Sequence, residues 1–137
     1  MPVFGLVDCD PDGINILKCY LYGSKNLAQE HGCNMPEIKW IGLKAEDVVP
    51  LRHTNETSIQ LTVRDRAIAL SMLESDEWRD DSGEILPSLR ECAIELQRLL
   101  MLGRKAEIQI LDEMEGGIYA WLTKRLEEGL RGRFKWK

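Results

Sequence analysis

The amino-acid sequence predicts an α/β domain built on parallel strands, and three observations predict it. Val3, Phe4, Leu6 and Val7 make a short, almost unbroken apolar run of strand formers, the composition of a strand covered on both faces. Ile14, Leu17, Leu21 and Ala28 then recur at helical spacing, with Tyr20 and Leu27 beside them and Lys18 and Lys25 off the stripe. Ile38-Lys39-Trp40-Ile41 supplies the next strand, completing a strand-helix-strand unit whose crossover should be right-handed.

The remaining elements follow in order. Pro11 cannot donate a backbone hydrogen bond and Gly13 permits a tight turn, so the first strand stops there and the helix starts at about Gly13. Gly32 to Pro36 reads as a loop, and Gly42 ends the second strand. Ala45 to Val49 forms a helical turn closed by Pro50, and Leu51 to Ser58 is a polar surface loop. Thr62 is a good N-cap with Asp65 at its third following position, so a helix runs from about Val63 to Glu74. Trp78 to Gly83, acidic and broken, reads as a linker. Beyond Pro87, Leu89, Cys92, Ala93, Leu96, Leu99 and Leu100 form the buried stripe of another helix, which Gly103 ends. Arg104 to Met114 is expected to be helical, and Gly116-Gly117 separates it from a last helix, Ile118 to Leu126.

The bounds agree with one modest core. The chain has 137 residues, 44% of them apolar and 30% charged, as an ordinary globular domain does. No stretch approaches the roughly 20 apolar residues of a membrane span, and the N-terminus reads as a core strand rather than a signal peptide. Cys9, Cys19, Cys33 and Cys92 show no Cys-x-x-Cys pairing, which points to reduced, packed thiols; no second pair completes a zinc set with His31 and Cys33. A net charge of −5 argues against indiscriminate nucleic-acid binding. From Lys124 to Lys137, however, six bases face two acids, with Phe134 and Trp136 between bases. That tail suits either a DNA backbone or a solvated helix end.

The stretch with chemistry in it is Asp8-Cys9-Asp10-Pro11-Asp12-Gly13. Asp8 and Asp10, two apart on an extended segment, share one side of it at the carboxyl end of a buried strand, where open α/β sheets bind ligands. Neighbouring carboxylates repel unless they share a proton or a cation. Oxygen ligands with open positions suit Mg²⁺ facing a phosphodiester. A calcium loop of the EF-hand kind would need a bidentate Glu where Cys19 stands, and a phosphatase strand end would carry a Thr that is absent. Acids that merely cap a helix remain the structural alternative. Cys9, between two acids, should be a poor thiolate.

Asp8-x-Asp10-Pro11-x-Gly13, followed by Tyr20-x-Tyr22-Gly23-Ser24, resembles the Toprim segment of the topoisomerase VI A subunit, shared by its eukaryotic relative, the meiotic protein that makes programmed DNA double-strand breaks. Ile38-Lys39-Trp40-Ile41-Gly42-Leu43, Leu61-Thr62-x-Arg64-Asp65 and Lys105-Ala106-Glu107-Ile108-Gln109-Ile110-Leu111 follow in the order that family shows. The last block and the insert around Trp78 to Gly83 look more like the meiotic branch.

The resemblance implies a partial, Rossmann-like Toprim fold, with parallel strands, flanking helices and a helical C-terminal part. Residues 1–137 would be one Toprim-type domain lacking its first strand and the upstream winged-helix domain. An uncovered strand edge invites association with another chain. The family's reaction is a type IIB topoisomerase-like transesterification, in which a tyrosine becomes linked to a DNA 5′ end while Toprim acids hold Mg²⁺. Asp8 and Asp10 match those aspartates; Asp12, at a variable position, is a further candidate for the metal. The family's additional glutamate and its nucleophile have no counterpart here, since Tyr20, Tyr22 and Tyr119 lie on predicted helices. The chain is therefore expected to be inactive alone. Lys105, Arg131, Arg133, Lys135 and Lys137 are the candidate DNA contacts, with Lys105 and Glu107 equally suited to packing or a salt bridge. Implied partners are DNA and a second protomer or a topoisomerase VI B-like subunit, in the nucleus, with no membrane. The alternative is a non-catalytic DNA- or partner-binding module.

Overall fold

A computed structural model of the protein describes residues 3–31, 38–49 and 59–131. The expected loops at Gly32 to Pro36 and Leu51 to Ser58, together with Arg133, Lys135 and Lys137, lie outside the described residues.

Strand β1 (Val3–Leu6) pairs in parallel with β2 (Ile38–Gly42), joined by helix α1 (Pro11–His31), as the strand-helix-strand reading expects. The ladder runs on past β1, where Val7 N–H donates to the Gly42 carbonyl at 2.9 Å and Leu43 N–H donates to the Val7 carbonyl at 2.7 Å. Helix α1 begins earlier than Gly13, because Pro11 needs no hydrogen-bond partner at the first helical position. Ile14 and Leu17 are buried on the sheet, Leu17 so close to Gly5 that a β-carbon there would sit 3.1 Å from it. Tyr20, expected beside the stripe, is exposed, whereas Lys18, expected off it, is buried and reaches Glu77 at 3.2 Å. Residues 14, 17, 18 and 21 form the true inner face, and the lysine stem follows it with its ammonium at the rim.

Short helix α2 (Ala45–Val48) follows β2, then a two-residue strand β3 (Ile59–Gln60) and helix α3 (Val63–Glu74). The capping box of α3 is as the sequence suggests: Asp65 N–H donates to Thr62 Oγ1 at 3.0 Å, and Thr62 N–H donates to Asp65 Oδ2 at 2.9 Å. Helix α4 (Arg90–Leu102) buries Cys92, Ala93, Leu96 and Leu99, with Leu89 just before it. Gly103, at φ 73°, supplies the left-handed cap, and its N–H donates to the Leu99 carbonyl.

Two expectations give way. Trp78 to Gly83 is not a linker: a 3₁₀ turn over Asp76–Trp78 sinks the Trp78 ring to 2% exposure in the core. The hairpin after it is closed by an Arg79–Ile85 bridge and by Arg79, whose guanidinium donates to the Leu73 and Gly83 carbonyls. Nor is Arg104 to Met114 one helix. Arg104–Lys105 forms strand β4, antiparallel to β3; Ala106 bridges Cys9, and a 3₁₀ helix covers Ile108–Glu113. Gly103 has turned the chain, and the strand partners waiting at Ile59 and Cys9 outweigh local helix propensity. Helix α5 (Gly117–Leu130) runs a turn longer than expected.

Helix α5 is locked to the carboxyl end of β2 by Arg125. Its guanidinium stacks on Trp121, donates to the Ile41 carbonyl and pairs with buried Asp47. A β-carbon on Gly42 would meet the Trp121 ring at 2.7 Å, so only glycine lets the ring lie there. Beside it, Lys44 lies against Trp40 and pairs with Glu91 at 2.6 Å, while Glu95 accepts from Ala45 N–H at 2.9 Å.

Trp78→Ala should lower stability by about 3–5 kcal/mol, through lost burial and a cavity the surrounding elements cannot close. Urea unfolding followed by circular dichroism checks it; a loss below about 1 kcal/mol would return Trp78 to a linker.

Candidate metal centre

The acids sit where β1 runs out. Cys9 points inward at 2% exposure, and the alternation of an extended segment turns Asp8 and Asp10 the other way, both half-buried. Across from them runs the segment after β4. Cys9 N–H donates to the Ala106 carbonyl at 2.8 Å, and Ala106 N–H returns to the Cys9 carbonyl at 3.1 Å. This brings residues 105–108 alongside the acids.

Each carboxylate is held by one backbone amide. Asp8 Oδ1 accepts from Ile108 N–H at 2.6 Å, across 100 residues of sequence. Asp10 Oδ1 accepts from Gly13 N–H at 2.6 Å, and its carbonyl accepts the first helical bond from Ile14 at 3.1 Å, so Asp10 is the N-cap of α1. The capping alternative is thus realised in Asp10 without using up its second oxygen. Gly13 makes the arrangement sterically possible: a β-carbon there would lie 2.3 Å from the Asp8 carbonyl oxygen.

Burial pushes the Asp10 carboxyl above its ordinary range; the Gly13 hydrogen bond opposes this, Asp8 and Asp12 add to it, and Lys105 opposes it. A divalent cation would relieve that penalty. The Cys9 thiol is pushed up to about 12, first by burial and then by Glu95, Asp47, Asp10 and Asp8, so it is an inert packed thiol. The sequence named only the flanking acids as its cause.

The other candidate residues lie further out. Asp12 is exposed and faces Arg64 at 4.0 Å. Lys105 Nζ lies 2.8 Å from Asp65 Oδ2, tying the segment beside the acids to the cap of α3. Burial works to raise the Asp65 carboxyl, but hydrogen bonds from Lys105 and Thr62 hold it below the usual range. Glu107 is exposed, and Arg131 is exposed at the end of α5. Sequence reasoning missed the Ile108 amide altogether. No local pattern signals it, because the partner of that amide lies 100 residues away in the sequence.

Among the described residues no group of three or more His, Cys, Asp or Glu side chains is gathered to hold a metal. Asp8 and Asp10 offer two half-buried carboxylates, each bonded to one backbone amide, the oxygen-donor type that a hard divalent cation takes.

The family model for the Toprim domain shared by the topoisomerase 6 A subunit/Spo11 proteins matches residues 1–124. The A3 subunit of DNA topoisomerase 6 from Oryza sativa subsp. indica is 33% identical over 112 residues, 81% of this chain and 24% of that protein. The meiotic recombination protein SPO11 of Homo sapiens is 43% identical over 67 residues, 48% of this chain and 17% of that protein. The meiotic recombination protein rec12 of Schizosaccharomyces pombe is 29% identical over 125 residues, 91% of this chain and 32% of that protein. The chain thus spans about a quarter of the length of the topoisomerase relative and a third or less of the meiotic ones.

Gly13→Ala should destabilise the protein by about 1–3 kcal/mol through collision with the Asp8 carbonyl, although helix propensity alone favours Ala by about 1 kcal/mol. Denaturant midpoints decide the sign. A raised carboxyl in the folded state contributes stability at pH below the unfolded value, lost as pH rises through the folded value. Asp10→Asn keeps the cap and removes the charge, so metal-free Tm should rise at about pH 7 and converge with the parent's toward about pH 4; a lower Tm at neutral pH would contradict the burial argument.

Proposed function

The chain belongs to the Toprim family of the topoisomerase VI A subunit/Spo11 proteins, and from that premise we propose that it is the metal-binding part of a DNA transesterase that makes meiotic double-strand breaks. The observation that carries this reading is the pair of half-buried carboxylates, Asp8 and Asp10, fixed by backbone amides just beyond the carboxyl end of β1. The ion they would hold is Mg²⁺.

When bound, a divalent cation there supplies charge stabilisation to the phosphoryl oxygens and to the departing 3′ oxygen of a DNA strand. Asp8 and Asp10 bind and orient it, and the amides of Ile108 and Gly13 keep both carboxylates aimed. In this reading the tyrosine that forms the 5′-phosphotyrosyl link and the further Toprim glutamate belong to a winged-helix domain and a strand outside residues 1–137. Tyr20, Tyr22 and Tyr119 lie on α1 and α5, with Tyr20 and Tyr119 well exposed and none beside the acids in sequence. Partners in this reading are DNA and a second protomer or a topoisomerase VI B-like subunit, on the chromosome in the nucleus. Arg131, with the bases that follow it, is the candidate backbone contact.

The meiotic branch rests on the 43% identity to human SPO11 over 67 residues, a shorter but denser match than the 33% over 112 residues to the plant topoisomerase relative. A second reading, a non-catalytic DNA- or partner-binding module, draws on the lack of a third metal-binding side chain among the described residues.

Calorimetric titration with Mg²⁺ or Mn²⁺, comparing the parent with Asp8→Asn/Asp10→Asn, tests the proposal. Binding in the parent that disappears in the variant is the expected result. Identical isotherms would favour the non-catalytic module.

A further inference from the structure

The geometry points to the backbone amide of Ile108 as the positioning group of the metal centre: it orients Asp8. This rests on reading Asp8 and Asp10 as the metal pair. Asp10 has a local anchor, three residues away in its own helix turn. The anchor of Asp8 comes from 100 residues on, at the start of the 3₁₀ helix Ile108–Glu113. The Ile108 N–H has no helical partner of its own, because the first amides of any helix lack one. It is a free donor that the fold aims at a carboxylate.

The aim is set on both sides of the residue. Ala106 is clamped to Cys9 by two backbone hydrogen bonds, and Lys105 is tied to Asp65 at 2.8 Å. On the far side, Ile110 and Leu111 are buried in the core, so residues 105–111 form a splint fixed at both ends. With Oδ1 held by the amide, rotation of the Asp8 carboxylate is restricted, and Oδ2 is the oxygen assigned as its metal donor. Partners behind a ligand atom typically contribute about 10–100-fold to metal affinity.

The local backbone permits a clean test. Ile108 is the first residue of its helix, where proline is tolerated, and Glu107 before it lies at φ −90°, ψ 158°, the region that a residue preceding proline prefers. Ile108→Pro therefore removes the N–H with the backbone trace kept, while Ile108→Ala trims the side chain and keeps the N–H.

Both variants of the 137-residue chain are titrated with Mn²⁺ by calorimetry beside the parent and Asp8→Asn/Asp10→Asn. The expected result is Ile108→Ala within about threefold of the parent and Ile108→Pro weaker by about tenfold or more. Equal losses in the two Ile108 variants, or parental affinity in Ile108→Pro, would overturn the inference while leaving the metal pair standing. Parental binding that survives Asp8→Asn/Asp10→Asn would overturn the metal pair itself, and the inference with it. Should Ile108→Pro fail to fold, Mg²⁺ titration of the unsubstituted protein by NMR decides. The Ile108 amide resonance should shift with the same half-saturation as the Asp8 carboxyl carbon, and an amide that stays put while the carboxyl moves would overturn the inference.

Discussion

Two carboxylates placed near each other and half out of water oppose folding unless something answers them, and much of this structure is arranged around that constraint. The first answer is backbone: one amide for each acid. The second is the charge of Lys105, which offsets part of the burial felt by Asp10 while paired with Asp65. Neither is enough to bring Asp10 back to the ordinary carboxyl range. The imbalance is what a cation would relieve, and groups at functional sites commonly carry such imbalance while the surrounding fold supplies the stability.

A different solution is used at the neighbouring strand end. There the buried acids Asp47 and Glu95 are spent on structure: each caps a backbone amide of the Lys44–Ala45 turn and each faces an arginine, Arg125 and Arg98 respectively. Two parallel strands thus end side by side in opposite electrostatic states. One end is neutralised by full ion pairs, as buried charges require. At the other, Asp10 keeps a raised carboxyl despite Lys105 nearby, so of the two strand ends it is the end of β1 that fits the cation proposed above.

The parallel pair, the capping box of α3 and the stripe of α4 were legible because each is a local pattern whose period or cap matches its burial. Asp8 and Asp10 were legible for the same reason: alternation along a strand end needs no knowledge of the rest of the chain. What was hidden is non-local. Nothing near Trp78 says that its ring will be drawn into the core instead of riding on an acidic linker. Nothing near Ile108 says that its amide will meet a carboxylate 100 residues back. In both places a local signal, charge in the first and helix propensity in the second, pointed one way, and partners elsewhere in the fold decided the other. Lys18 and Tyr20 exchanged places for a smaller reason: a helical stripe read from apolar residues alone cannot be centred to better than about one position, and a lysine stem is apolar enough to take the inner one.

The bridge between Cys9 and Ala106 also carries a temporal meaning. Synthesis delivers the acids well before their splint, which follows about 100 residues later at roughly 5–20 residues per second. For several seconds the nascent chain holds Asp8 and Asp10 with α1 available to form but the Ala106–Ile108 side still missing. The Asp8–Ile108 hydrogen bond is therefore among the last features of these residues to assemble. Joining ends so far apart in sequence is slow relative to local helix formation. Such ordering ties the Asp8–Ile108 contact to the closing of the core that contains Leu111 and Trp78.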